Sequence, residues 1–226
     1  MVEPAIFSTI MKLNRQILIL IALSILAFFF WNTIVVYPIK LFVVFLHELS
    51  HGIAAVVTGG KIVKVEISYL IGGVCYTQGG NAFVIASAGY LGSILLGGLL
   101  LVQASKSKNS KLLGLILAAI VILVTIFYVR NSFGLIFGFS FGIILLVLSF
   151  FLPSFILEWI LKFIGICSCF YVLIDIKEDL FTTQYRGSDA DALYALTGIP
   201  ALAWAVLWIL LAVIAFVYFL RKSVSK

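Results

Sequence analysis

Residues Ile39 to Thr58 read IKLFVVFLHELSHGIAAVVT, which places the pattern His47-Glu48-Leu49-Ser50-His51 inside an apolar run. The run is long enough to cross a membrane, because a spanning helix needs roughly 20 mostly apolar residues. The chain has two histidines, and both belong to this pattern. Ionisable groups in hydrocarbon are costly unless a partner compensates them, so the segment indicates a functional site within a membrane span.

The composition extends this interpretation to the whole chain. Of its 226 residues, 64% are hydrophobic and 11% are charged, whereas a soluble domain is about half apolar and about a quarter charged. Most of the protein surface must therefore face the lipid bilayer, because so few charged residues cannot cover a surface that faces water. The net charge of +6 comes from Lys and Arg residues between the apolar runs, where they suit lipid headgroups. Nucleic-acid binding has no support.

Apolar runs predict the number of spans. Candidates lie near residues 16–37, 39–58, 82–103, 112–129, 133–152, 155–174 and 200–220. Seven is the best count. Because of Pro153, residues 133–174 could form either two separate spans or a pair of broken helices. We predict an all-α, multi-pass integral membrane protein with about six to seven transmembrane helices in a single domain, residues 1–226. The sequence does not determine the membrane, the orientation or the oligomeric state.

A short stretch after the histidine motif has the pattern of strands rather than of a span. Residues 62–69 alternate apolar and polar side chains, which is the period of a strand. Gly72-Gly73 then interrupts the strand pattern, and residues 74–78 can return as a second strand. The sequence thus predicts a membrane-associated β-hairpin over 62–78.

All four aspartates lie in a second stretch that is not a span, residues 175–199. Ser188 resembles a helix N-cap, and Asp189 and Asp191 would then lie in the first turn, where acidic side chains suit the helix dipole. We therefore interpret these two aspartates as part of a helix start rather than of a metal site.

The histidine motif predicts a zinc site. On a helix, residues four apart lie on one face and about 6 Å apart along the axis, so His47 and His51 can bind one zinc ion. Glu48 lies beside them and can act as a general base on water. The competing interpretation is a polar cluster that only holds helices together, but it leaves the cost of burying these groups uncompensated.

The third ligand must be a carboxylate, because no further histidine and no suitable cysteine pattern is present. The candidates are Glu66, Glu158, Glu178 and the four aspartates. Asp175 is the best of them, because it directly follows an apolar run in which a lone charge would be costly. Asp179, one helical turn later, is the second choice.

These residues resemble the site-2 protease family of intramembrane zinc metalloproteases, and more closely its small membrane-only relatives. The similarity rests on residues 45–52, on the stretch around Gly72-Gly73 and on Ser87-Ala88-Gly89. It implies a zinc helix over 39–58, the hairpin over 62–78 and an aspartate-bearing segment over 155–191. In that family the third ligand is an aspartate on a later span, which agrees with Asp175.

The resemblance also implies a way to bind substrate. In the family, a membrane-inserted hairpin offers a strand edge to an unwound substrate, which is the strand-addition mode of peptide binding. This indicates Val65, Ile67, Gly72 and Gly73 as substrate-binding residues. The alternative is a hairpin that only connects two spans.

We therefore predict a zinc-dependent endopeptidase that cleaves transmembrane segments of other membrane proteins. Zinc would be held by His47, His51 and Asp175, and Glu48 would be the general base. One alternative is a zinc-binding membrane scaffold or chaperone without proteolysis. A transporter is a weaker alternative, because the spans show no pseudo-repeat.

Overall fold

Eight helices and one β-hairpin make up the part of the chain that the computed structural model describes. It describes residues 4–106, 109–181 and 188–224, with side chains for 16–106, 109–176 and 188–224. The elements are α1 (Pro4–Phe29), α2 (Tyr37–Val57), β1 (Lys61–Ser68), β2 (Gly72–Gln78), α3 (Ala82–Lys106), α4 (Ser110–Tyr128), α5 (Ser132–Phe151), α6 (Ser154–Phe181), α7 (Asp189–Thr197) and α8 (Ala201–Val224).

Six helices in the described residues are long and apolar enough to cross a membrane: α2, α3, α4, α5, residues 154–176 of α6, and α8. The predicted multi-pass helical fold is confirmed. Pro153 separates α5 from α6, because proline cannot continue a helix and restricts the residue before it. The predicted first span, 16–37, differs: the apolar helix ends at Phe29, and turns over 30–36 lead into α2.

Helix α3 lies at the centre and contacts α2, α6, α7 and α8. Its small residues allow this close packing, as they do in other membrane bundles. A Cβ atom on Gly97 would meet Ser168 of α6, and one on Gly98 would meet the ring of Phe219 of α8. Larger side chains here would push apart the helices that surround the site.

The hairpin is an antiparallel pair whose register runs from Lys61 opposite Gln78 to Ser68 opposite Gly72. The predicted hairpin is confirmed, but the predicted break at Gly72-Gly73 is not where the chain turns. Both glycines belong to β2, and the turn lies at residues 69–71, where Ile71 adopts a φ of 60°. Gly73 is instead required because it packs closely against the side chain of Glu48.

The hairpin runs back along α2, from the last turn of this helix to its first turn. The amide of Gly60 donates to the carbonyl of Ala55 at 2.7 Å. At the other end, the hydroxyl of Tyr37 donates to the carbonyl of Tyr69 at 2.7 Å. The histidine motif in the middle of α2 is therefore covered by the middle of the hairpin.

Candidate active site

Helix α2 presents His47 and His51 on one face, as their spacing predicts, with ring centroids 4.8 Å apart. Nδ1 of His51 lies 2.7 Å from the carbonyl oxygen of Ile85 on α3. Because a carbonyl only accepts, Nδ1 carries the proton and Nε2 keeps its lone pair. A hydrogen bond of this kind orients the ring and fixes the tautomer in metal-binding histidines.

Among the described side chains, the carboxylate that faces both imidazoles belongs to Asp189. Its Oδ2 lies 3.4 Å from Nε2 of His47 and its Oδ1 lies 3.3 Å from Nε2 of His51. Asp189 is the first residue of α7, whose start is fixed by a capping box between Ser188 and Asp191. Burial raises the pKa of the Asp189 carboxyl, but His51 and His47 lower it by more, to about 2. The carboxylate is therefore ionised at neutral pH.

The three side chains fit a bound metal ion. Their ligand atoms lie within 4.8 Å of one another. The two nitrogen–oxygen distances are long for hydrogen bonds but close to the edge, about 3.3–3.4 Å, of a tetrahedron with bonds of about 2.0–2.1 Å. Oδ2 of Asp189 is buried without a hydrogen-bond partner among the described residues, and a cation would compensate it. Two imidazoles and a carboxylate are a ligand set of catalytic zinc.

The structure places Asp189, and not the predicted third ligand Asp175, beside the two histidines. Asp175 lies on α6 and lines the same cavity as the histidines, but it does not belong to the group of described side chains within metal-binding distance. The side chain of Asp179 lies outside the described residues. Ser188 is the N-cap that the sequence predicts, but Asp191 completes the capping box. This leaves the carboxylate of Asp189 to face the histidines.

Glu48 is buried on the same face of α2 and packs against β2. A Cβ atom on Gly73 would lie 2.6 Å from Cγ and 2.9 Å from Oε1 of Glu48, so a side chain at this position would displace the carboxylate. The backbone N–H of Cys75 also lies close to this carboxylate. Glu48 is therefore held next to the histidines from α2 on one side and β2 on the other.

The two edges of the hairpin differ, and the difference corrects the prediction for Val65 and Ile67. Both residues are buried, and their outward backbone groups are bonded to the loop between α4 and α5: the amide of Arg130 donates to the carbonyl of Val65, and the amide group of Asn131 pairs with the backbone of Ile67. This edge is not available to a peptide.

The opposite edge, on β2, faces the site. Gly73 lies opposite Ile67, and Cys75 lies opposite Val65. In an antiparallel pair, residues opposite each other direct their backbone groups the same way, both inward or both outward. The backbone groups of Gly73 and Cys75 thus point away from β1, and those of Gly73 have no hydrogen-bond partner among the described residues.

A cavity of about 870 Å³ connects these elements. It is lined by His47, Glu48 and His51 from α2, by Gly72, Gly73, Val74, Cys75 and Thr77 from β2, and by Asp175 and Asp189. The predicted Gly72 and Gly73 are thus brought to the histidines, whereas Val65 and Ile67 are not among the lining residues.

Gly89 on α3 is a site residue whose role the sequence did not reveal. A Cβ atom on Gly89 would lie 2.5 Å from Nε2 of His47 and would also meet Oδ2 of Asp189. The next residue, Tyr90, packs edge-on against the His47 ring, with centroids 5.2 Å apart. The backbone of α3 thus forms one wall of the candidate metal site.

A protein-family model described as peptidase M50B-like matches residues 20–219. The chain belongs to this family. The match includes α2, the hairpin, α7 and most of α8, so every residue of the candidate site lies within it. The resemblance to the site-2 protease family is confirmed, and the chain is an integral membrane protein of a peptidase family. No curated protein and no solved structure shows significant similarity to it.

Proposed function

We propose that the protein is a zinc-dependent endopeptidase that cleaves transmembrane segments of other membrane proteins. The observation that carries the proposal is the convergence of His47, His51 and Asp189 beside Glu48, in a cavity that the free edge of β2 lines. Membership of a peptidase family supports the same function.

His47, His51 and Asp189 would hold the zinc ion, so Asp189 replaces Asp175 in this role. Zinc bound in such a site supplies a Lewis acid that polarises a carbonyl and acidifies water. His51 is oriented by the carbonyl of Ile85, and Asp189 is oriented by the cap at the start of α7. Both supports limit the freedom of the ligands, which favours metal binding.

Glu48 would move the proton. It lies directly after the first ligand, and its carboxylate is held against Gly73 and Cys75 rather than among the three ligand side chains. In this position it can take a proton from the attacking water and pass it to the leaving amine.

The substrate would add to the β2 edge as an extended strand. The outward backbone groups of Gly73 and Cys75 are arranged for such pairing, and Gly73 is in contact with Glu48. Strand addition holds a peptide extended by its backbone, with little demand on its side chains. A transmembrane segment must unwind locally before it can bind in this way.

Adjacent glycines in β2 provide a matched test of this geometry. A Cβ atom on Gly73 would meet Glu48, whereas one on Gly72 would have no atom within 4 Å. We expect Gly73→Ala to lower the cleavage rate about 10- to 100-fold, because a displacement of about 1 Å in a catalytic group has effects of this size. Gly72→Ala adds the same methyl group without meeting Glu48, so it should lower the cleavage rate much less.

Zinc content, measured on both purified variants, should equal that of the wild type. Equal cleavage by the two glycine variants would contradict the placement of Glu48 against β2.

The proposal is tested by incubating the purified protein in liposomes with a reporter transmembrane segment and identifying the fragments by mass spectrometry. We expect a cut within the membrane-spanning part of the reporter. Binding of the reporter without any cut, across a panel of reporter sequences, would instead identify a scaffold or chaperone.

A further inference from the structure

Asn131 is the N-cap residue of α5, but its side chain does not cap the helix. An asparagine at this position normally accepts a hydrogen bond from an amide in the first turn, which typically stabilises a helix by about 1 kcal/mol. The N-cap of α4, Asn109, does so, accepting from the amide of Leu112 at 3.1 Å. Asn131 forgoes this bond for another partner.

That partner is the backbone of β1. Nδ2 of Asn131 donates to the carbonyl of Ile67 at 2.7 Å, and Oδ1 accepts from the amide of Ile67 at 3.0 Å. The side-chain amide thus pairs with the strand as the peptide group of a neighbouring strand would. Gly134 makes room for it, because a Cβ atom there would lie 2.5 Å from Oδ1.

The backbone before Asn131 begins the same pairing. Val129 forms a parallel bridge with Val65, and the amide of Arg130 donates to the carbonyl of Val65 at 3.1 Å. The chain then turns into α5, so the backbone can pair no further. The amide of Asn131 continues the contact for one more residue and makes β1 the middle strand.

We propose that Asn131 is a positioning residue that fixes the hairpin against α2 and closes the β1 edge, so that β2 alone receives an extended substrate. Val65 and Ile67, which Arg130 and Asn131 hold, lie opposite Cys75 and Gly73. Gly73 packs against Glu48, and Cys75 lies close to it. A shift of β1 therefore shifts the edge that faces the catalytic carboxylate.

The reactivity of the native cysteines reports how firmly the hairpin is held, and the measurement does not depend on catalytic activity. Cys75 lies on β2, whereas Cys167 and Cys169 are buried in α6 and serve as internal references. In Asn131→Ser, a good N-cap residue is kept but the two-point contact is lost. We expect alkylation of Cys75 by N-ethylmaleimide to rise about tenfold, since two hydrogen bonds hold the hairpin, while Cys167 and Cys169 react as in the wild type.

Asn109→Ser is the matched control, because it makes the same change at the N-cap of α4, at the other end of that helix from the residues that pair with β1. It should leave the alkylation of Cys75 unchanged. Equal Cys75 rates in wild type, Asn131→Ser and Asn109→Ser would overturn the proposal. If all three cysteines of Asn131→Ser become reactive, the variant has unfolded. Asn131→Asp, which keeps the acceptor for the Ile67 amide, then replaces it under the same criteria.

A second measurement rests on the proposed function. If the hairpin sets the register of the substrate, Asn131→Ser should cut the reporter at additional neighbouring bonds, whereas Asn109→Ser should cut at the wild-type bond. A wild-type protein that cuts no reporter would refute the proposed function, and the Cys75 rates would still decide the role of Asn131. Asn131→Ser could show faster alkylation of Cys75 and still cut the reporter at the wild-type bond. This result would limit the role of Asn131 to holding the hairpin and would overturn the claim about substrate register.

Discussion

Glu48→Gln should give a folded protein that binds zinc and cleaves its substrate about two to four orders of magnitude more slowly than the wild type. Glutamine keeps the size of the side chain and removes its basicity, and loss of a general base typically costs this much in rate. Zinc should stay bound, because Glu48 does not belong to the cluster formed by His47, His51 and Asp189. The neutral side chain should also insert in the membrane at least as easily.

The matched control is Glu66→Gln, which removes a carboxylate from the hairpin, where it pairs with Lys64. We expect this variant to cleave at nearly the wild-type rate, because a partly exposed ion pair at the surface contributes little. Measurement of zinc content and of fragment formation on the same preparations separates the outcomes. Loss of zinc from Glu48→Gln would identify Glu48 as a ligand, and cleavage at the wild-type rate would refute its catalytic role.

Asp189→Ala should weaken zinc binding more than about 100-fold. Loss of a direct ligand weakens metal binding more than loss of a hydrogen bond that supports a ligand, and the latter costs about 10- to 100-fold in metal affinity. The carboxylate of Asp189 faces Nε2 of both histidines. Zinc affinity can be measured by competition with a chelator of known strength, and cleavage should fall in parallel.

Asp175→Ala is the decisive comparison, because Asp175 lines the same cavity without joining the ligand cluster. We expect its zinc affinity to fall less than about tenfold, below the range of a supporting hydrogen bond. If Asp175→Ala lost zinc more completely than Asp189→Ala, the third ligand would lie on α6, as the sequence predicts, and α7 would only close the cavity.

The sequence was sufficient for the features that depend on local pattern. The spacing of His47, Glu48 and His51 determines that they share a helix face, and the apolar runs determine the spans. The alternation over residues 62–69 predicts the hairpin, and Ser188 predicts the start of a helix. Each of these follows from the period of one element, without knowledge of its neighbours.

The third ligand could not be predicted this way, because it depends on how α7 packs against α2 and α3. Asp189 has a sufficient local explanation as an acidic residue in a first helical turn. A clue was present in Asp191, which completes the capping box with Ser188, so the cap itself does not require a carboxylate at position 189. The apolar run before Asp175 predicts that this residue is buried, but it does not show in which direction the carboxylate points.

Glycines and hairpin edges were misjudged for a related reason. Gly72-Gly73 predicts a turn when conformational freedom is the criterion, but Gly73 is required because Glu48 occupies the space where a side chain would lie. Val65 and Ile67 have the pattern of a usable strand edge. Only the tertiary structure shows that Asn131, more than sixty residues later in the chain, already occupies it.

The central claim is that zinc held by His47, His51 and Asp189 is required for cleavage within a membrane span. The most direct measurement is fragment formation from the reporter segment in liposomes, with the wild-type protein as purified, after zinc removal by a chelator, and after zinc is restored. We predict that cleavage is lost with the metal and returns when about one zinc ion per chain is bound. Cleavage that continues at the same rate in the zinc-free protein would contradict the claim.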